Sequence, residues 1–184
     1  MLHSSGKREL IFSIVLYTVF YLLTASVVPY LGVRPDILSF TGTEQINTVK
    51  PDIMLSLVIC SAVLISSKRS VVLGMIFGFV IDITCSVPMF SSLTYCLCGH
   101  YAPRLSRFFA GRGVVNIVLI AIPLLLLRAV VSTFYLLGTW HNISFPDILF
   151  GAVLPEYLHN LISVVIVYFV LILLMRIFRI EKSV

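Results

Sequence analysis

The chain has 184 residues, of which 59% are hydrophobic and only 11% charged, with a net charge of +5, and its mean hydropathy is +1.08. A water-soluble domain keeps about a quarter of its residues charged, so this composition excludes a soluble fold and leaves lipid as the solvent. The basic balance follows the positive-inside rule and does not call for nucleic acid.

The length suits one integral membrane domain over 1–184, an all-α polytopic protein built as a compact bundle of six transmembrane helices. A crossing helix needs roughly 20 apolar residues for about 30 Å of hydrocarbon. Apolar runs place the spans at 10–31, 51–66, 70–88, 90–103, 114–138 and 147–175. The first follows Lys7 and Arg8 and is too long for a signal-peptide core, so it is read as a retained anchor. The second and fourth are short and call for tilt or local thinning of the bilayer.

Charge sorts with these spans. Lys7 and Arg8 precede the first, Lys68 and Arg69 separate the second and third, and Arg104, Arg107 and Arg112 separate the fourth and fifth. Arg176, Arg179 and Lys182 follow the sixth, which puts ten of the thirteen basic residues on one side. The other side carries Arg34 and Lys50 beside Asp36, Glu44, Asp52 and Asp147. Both termini are therefore expected in the cytoplasm.

The triplet Pro-Asp-Ile occurs at 35–37, 51–53 and 146–148. Proline suits the first helical position and aspartate meets the positive end of the helix dipole. Pro51 with Asp52 and Pro146 with Asp147 thus mark the outer starts of the second and sixth spans, and Pro35 opens a short surface helix. Within the sixth span Pro155 has no N–H for the carbonyl of Gly151, which predicts a kink. Glu156, His159 and Asn160 follow on one face. Pro123 is placed to bend the fifth span in the same way.

Asp82, His100, Arg128, Glu156 and His159 lie inside predicted spans. A charge exposed near the bilayer centre costs at least about 2.5–3.5 kcal/mol, so such residues face the bundle interior and seek partners. Counted from the outer helix ends, Asp82 lies about 9 Å down, Glu156 about 13 Å, and His100 and Arg128 about 15 Å. Asp82, His100, Arg128 and Glu156 are therefore expected to form a buried polar cluster, with Arg128 paired to Asp82 or Glu156. It serves either as a structural lock between helices or as a ligand or proton site. Gly74, Gly78 and Asp82 share one helix stripe, and small residues at this spacing admit a close partner helix.

Cys60, Cys85, Cys96 and Cys98 sit in apolar runs without metal-ligand spacing, and read as buried thiols. No activated serine, His/Glu metal signature or glycine-rich phosphate loop is present, so no catalytic activity, cofactor or metal is expected. The sequon Asn142-Ile143-Ser144 carries no weight alone.

Several of these stretches together resemble the rod shape-determining protein MreD family of bacteria. The matching stretch starts at Lys50-Pro51-Asp52-Ile53-Met54-Leu55. After the basic pair Lys68-Arg69 it continues through Gly74-Met75-Ile76-Phe77-Gly78-Phe79-Val80-Ile81-Asp82, then Leu93 to Tyr101 with Gly99, and finally Gly151-Ala152-Val153-Leu154-Pro155. The resemblance covers roughly 50–175. The loop at 32–50 is longer than the family leads one to expect, and Arg128 and Glu156 are not family markers. The resemblance implies a non-enzymatic inner-membrane component of the elongasome, which supports lateral peptidoglycan synthesis. Its expected partners are an MreC-like scaffold, whose helix would dock on the Gly74/Gly78 stripe, and MreB, RodA and its transpeptidase as complex members, with membrane lipid around the bundle. No nucleic acid or small-molecule substrate is expected. The alternative is the substrate-binding S-component of a vitamin transporter, whose six-helix fold the MreD family resembles. Against it, Ala25 stands alone where a pair of alanines four residues apart is expected for docking. A small ion- or proton-coupled carrier is the third reading, resting on the buried charges.

Overall fold

A computed structural model describes residues 2–26, 52–84, 90–109, 113–139 and 145–180. The expectations for Lys50, Pro51, the loop at 32–50, Cys85, Arg112, the sequon and Lys182 lie outside the described residues, as does that for the side chain of Asp147. Among the described residues the fold is all-helical, with no strand. The helices are α1 (Leu2–Ser26), α2 (Ile53–Leu64), α3 (Ser67–Thr84), α4 (Phe90–Phe109), α5 (Gly113–Thr139), a single turn α6 (Phe145–Ile148), a π-helical turn (Leu149–Val153) and α7 (Leu154–Ile177).

Three of them contain stretches long and apolar enough to cross a membrane: Lys7–Ser26, Gly113–Phe134 and Leu154–Ile177. The side chains facing outward on α1, α5 and α7 are apolar, among them Ile11, Val15, Leu126, Phe134, Ile162 and Ile166. A soluble protein avoids such a surface, whereas a membrane protein needs it. The remaining helices differ from the expected spans for separate reasons. α3 carries Lys68, Arg69 and Asp82 in its 18 residues, and α4 is rich in polar groups.

α2 is the informative departure. It has 12 residues, or about 18 Å of helix, too little to cross alone. Met54 through Ala62 and Leu64 are almost all buried, without an outward face. A helix that is apolar all round is a core helix. α1, α3, α4 and α7 pack around it, so it forms the centre of the bundle.

Several polar side chains of this core are paired with one another. Tyr17 on α1 shares a hydrogen bond of 2.8 Å with Ser61 on α2, and Ser61 shares another of 2.9 Å with Ser70 on α3. This hydroxyl chain fastens three helices where lipid provides no hydrophobic drive for their association. At the opposite edge the Asn116 amide donates to Ser106 Oγ at 3.0 Å, tying α5 to α4. Outside the core, the Arg69 guanidinium donates to Glu9 at 2.7 Å and joins the start of α3 to the start of α1. The Phe12 and Phe178 rings, 5.4 Å apart, bring the start of α1 to the end of α7. Lys7, Arg8, Lys68, Arg69, Arg176 and Arg179 therefore gather at one end of the molecule.

α4 continues to Phe109, six residues past the expected end at 103, with Pro103 inside it. Proline removes the N–H that would reach the Gly99 carbonyl one turn earlier. Ser67 Oγ, from α3, donates to that carbonyl at 3.2 Å. The helix runs through its proline because a neighbouring helix supplies the missing donor. Near Pro155 a related problem is met differently. The kink expected there takes the form of the π-helical turn just before α7, where the Leu154 N–H reaches back to the Leu149 carbonyl.

The Ser67 assignment has a direct test. Ser67→Ala should lower stability by about 0.5–1 kcal/mol, read as the midpoint of unfolding in mixed detergent micelles. In a Pro103→Ala background, where the backbone supplies the N–H itself, the same substitution should cost little. An equal loss in both backgrounds would refute the assignment.

Candidate functional site

The polar site of the molecule forms around the first turn of α2. Helix starts leave N–H groups without intrahelical partners, and here that start is enclosed by other helices. Asp52 is the N-cap, its Oδ1 accepting from the Leu55 N–H at 2.9 Å. The same oxygen accepts from the Tyr95 hydroxyl of α4 at 2.6 Å. The Asp52 N–H donates to Asn160 Oδ1 of α7 at 2.6 Å. Arg128 of α5 completes the group, with Nη2 3.9 Å from Asp52 Oδ2 and Nε 3.6 Å from Glu156 Oε1. One residue thus ties α2 to α4, α5 and α7.

The three charged side chains are partly covered, with 13% of Asp52, 18% of Arg128 and 25% of Glu156 exposed. Both carboxylates lie within ion-pair range of the guanidinium but beyond hydrogen-bond range, and the enclosed Nε has no hydrogen-bond partner. Coulomb attraction holds the guanidinium to both carboxylates, and Asp52 is additionally anchored by hydrogen bonds to Leu55, Tyr95 and Asn160. Removing one member of such a cluster leaves the others uncompensated.

The predicted cluster is therefore redrawn. Arg128 and Glu156 meet, as one of the two expected pairings had it. Asp82 does not join them. Its carboxylate accepts from the Ser91 and Ser92 N–H groups at 3.1 and 2.9 Å, so it caps the first turn of α4 from the end of α3. The negative charge there also meets the positive end of the α4 dipole. His100 is exposed, and its ring lies edge-on to Tyr101 at 5.3 Å. It is five residues from Tyr95, about 140° around the helix, and so points away from the cluster. His159 Nδ1 lies 2.8 Å from the Pro155 carbonyl; the carbonyl only accepts, so this nitrogen carries the proton.

Asp52 was expected only as a helix start and Tyr95 was not expected at all. Asn160 was noted for its position on the Glu156 face, without a partner. The signal was the shortness of the second apolar run, read as tilt or local thinning: a short helix enclosed by others starts inside the bundle, and its cap starts there too. Pro146, the other helix-start residue with a described side chain, lies exposed in α6, and Pro155 takes one of the first two positions of α7.

The stripe expected to receive a partner helix is already filled. Gly74, Gly78 and Asp82 are buried, and α4 of the same chain lies on them. A Cβ built on Gly78 would come within 2.7 Å of Ser92 Cα and 2.9 Å of the Tyr95 ring. At Gly74 the nearest atom would be a Val58 methyl at 3.0 Å, and at Gly99 the Val71 side chain at 3.2 Å. Close helix approach is the correct reading of the glycines, but the partner is internal.

Among the described residues no three His, Cys, Asp or Glu side chains gather so as to hold a metal ion. Cys60 and Cys98 are buried free thiols, and Cys60 Sγ lies 3.6 Å from the Val164 carbonyl. No family model, curated protein or solved structure matches the chain.

Two mutational outcomes follow from this geometry. Tyr95→Phe should destabilise by about 1–2 kcal/mol in native Asp52 and by much less in an Asp52→Ala background, measured as a double-mutant cycle of unfolding midpoints. Additive losses would mean that the hydroxyl and carboxylate do not interact. Gly78→Ala should cost about 1–3 kcal/mol because backbone must move, whereas Gly74→Ala meets a side-chain methyl and should cost less. The reverse order in thermal melts would contradict the assigned α3/α4 contact.

Proposed function

We propose that this chain is a non-enzymatic component of the bacterial cell-shape machinery, an MreD-like protein of the inner membrane that supports lateral wall synthesis. On this reading it crosses the membrane six times with both termini in the cytoplasm, α2 to α4 crossing as part of the bundle. It binds an MreC-like scaffold and is linked to MreB, RodA and its transpeptidase. The observation that carries the proposal is the convergence of three of the four stretches behind the resemblance on one residue, Tyr95. Asp52, from the Lys50–Leu55 stretch, accepts the Tyr95 hydroxyl, and Gly78, from the glycine-phenylalanine helix, lies against the Tyr95 ring. Tyr95 itself belongs to the third matching stretch.

Motif residues that lock helices to one another suit a scaffold, whose task is to hold a shape against its partners. The clustering of basic residues at one end agrees with a cytoplasmic face there. Because α4 occupies the glycine stripe, the scaffold's helix meets an outer, lipid-exposed face of the bundle instead.

Tagged purification from native membranes in mild detergent, followed by mass spectrometry, tests the proposal. MreC, RodA or its transpeptidase should be enriched above an untagged control. Recovery of an ATPase pair together with a bound vitamin would replace this reading with the S-component alternative.

A further inference from the structure

A groove of about 430 Å³ runs between α1 and the last turns of α7. Its α1 wall is built from Arg8, Ile11, Val15 and Val19, and its α7 wall from Leu174 and Phe178. Arg8 is the charged residue of the lining, and it stands at the end of the molecule where the other basic residues gather. The exposed Arg176 and Arg179 flank the α7 wall at that same end. From Arg8 to Val19 the wall is about 17 Å long, close to half of the roughly 30 Å hydrocarbon thickness. Ile11 and Val15 are 62% and 55% exposed, so the groove opens to the membrane along its length.

The groove exists because α1 and α7 are fastened to the core by different contacts. α1 is held by Tyr17 on Ser61 and by Glu9 on Arg69. α7 is held against α2 and α5. The two helices meet each other through the Phe12 and Phe178 rings, and the space beside that contact is left open.

We propose that this groove binds one anionic phospholipid from the leaflet on the basic side. Its phosphate sits at Arg8, with Arg176 and Arg179 adding attraction, and one acyl chain lies along Ile11, Val15 and Val19. The order of chemistry along the groove is that of such a lipid: a cation at headgroup level, then about one leaflet of apolar wall. A partner helix fits less well, because the walls are branched and aromatic side chains rather than the small residues that admit a backbone.

The test uses the full-length protein in mild detergent, stripped of lipid and titrated with phosphatidylglycerol or with phosphatidylcholine of identical chains, and read by native mass spectrometry. One phosphatidylglycerol should bind at concentrations where phosphatidylcholine does not. Arg8→Gln should weaken that binding about fivefold, the worth of one basic residue beside an anionic group. Val15→Trp, on an exposed helix face and so without consequence for folding, should fill the groove and abolish it. Equal binding of the two lipids would overturn the proposal. So would loss on Arg8→Gln with none on Val15→Trp, which signals diffuse attraction without a groove. Efficient cross-linking of Val15→Cys to a protein chain in native membranes would assign the groove to a protein and overturn it as well.

Discussion

The structure depends on a helix that begins inside the bundle. α2 is too short to cross a membrane alone and is apolar on every side, and its first turn lies among other helices. Unpaired N–H groups cannot be left in such surroundings. Asp52 meets this need locally by capping Leu55, but in doing so introduces a carboxylate that needs partners of its own. Tyr95 and Arg128 supply them from two other helices, and Asn160 of a third accepts from the Asp52 N–H. The relative positions of α2, α4, α5 and α7 are thus fixed by one helix start.

The α3/α4 pair solves the same problem by a different route. Here the backbones approach closely at Gly78 of α3 and Gly99 of α4, and α3 side chains serve α4 backbone groups at both ends of the seam. Asp82 of α3 caps the start of α4, and Ser67 of α3 serves the carbonyl that Pro103 leaves free in α4. Neither α3 nor α4 would be well formed in lipid without the other. Lipid tails are as apolar as the side chains they replace, so interhelical hydrogen bonds and tight contact carry the association.

How much of this can be read in the sequence follows from what each signal measures. Apolar runs locate helices along the chain: α5 follows its run closely, α3 starts three residues before its run, and the run at 147–175 is covered by α6, the π-helical turn and α7 together. Depth counting also puts Arg128 and Glu156 at matching levels, and they meet. It says nothing about direction around the axis, which is why His100, at the same depth as Arg128, faces away. The stripe from Gly74 to Asp82 is legible as a contact face, but the identity of the contacting helix is a tertiary fact that spacing does not contain. The fourth apolar run ends at 103, and nothing in it shows that α4 continues through Pro103, because the donor that serves the freed carbonyl is 36 residues away in sequence, on a serine of no distinctive type.

These corrections share a direction, and it bears on function. Asp52, Asp82, Tyr95, Asn160, Ser61 and Ser67 all turn inward, and each is used to hold one helix to another. An ion or solute pathway would need polar groups left free to change partners, whereas most of these are already committed to backbone or hydroxyl groups. Arg128 is the looser member, held by charge alone at 3.6 and 3.9 Å. Even so, its two carboxylates come from different helices, so displacing it would break the charged links of α5 to both α2 and α7. The polar groups of the interior described here thus act as a frame between helices, and the proposed lipid groove lies outside that frame, at the basic end.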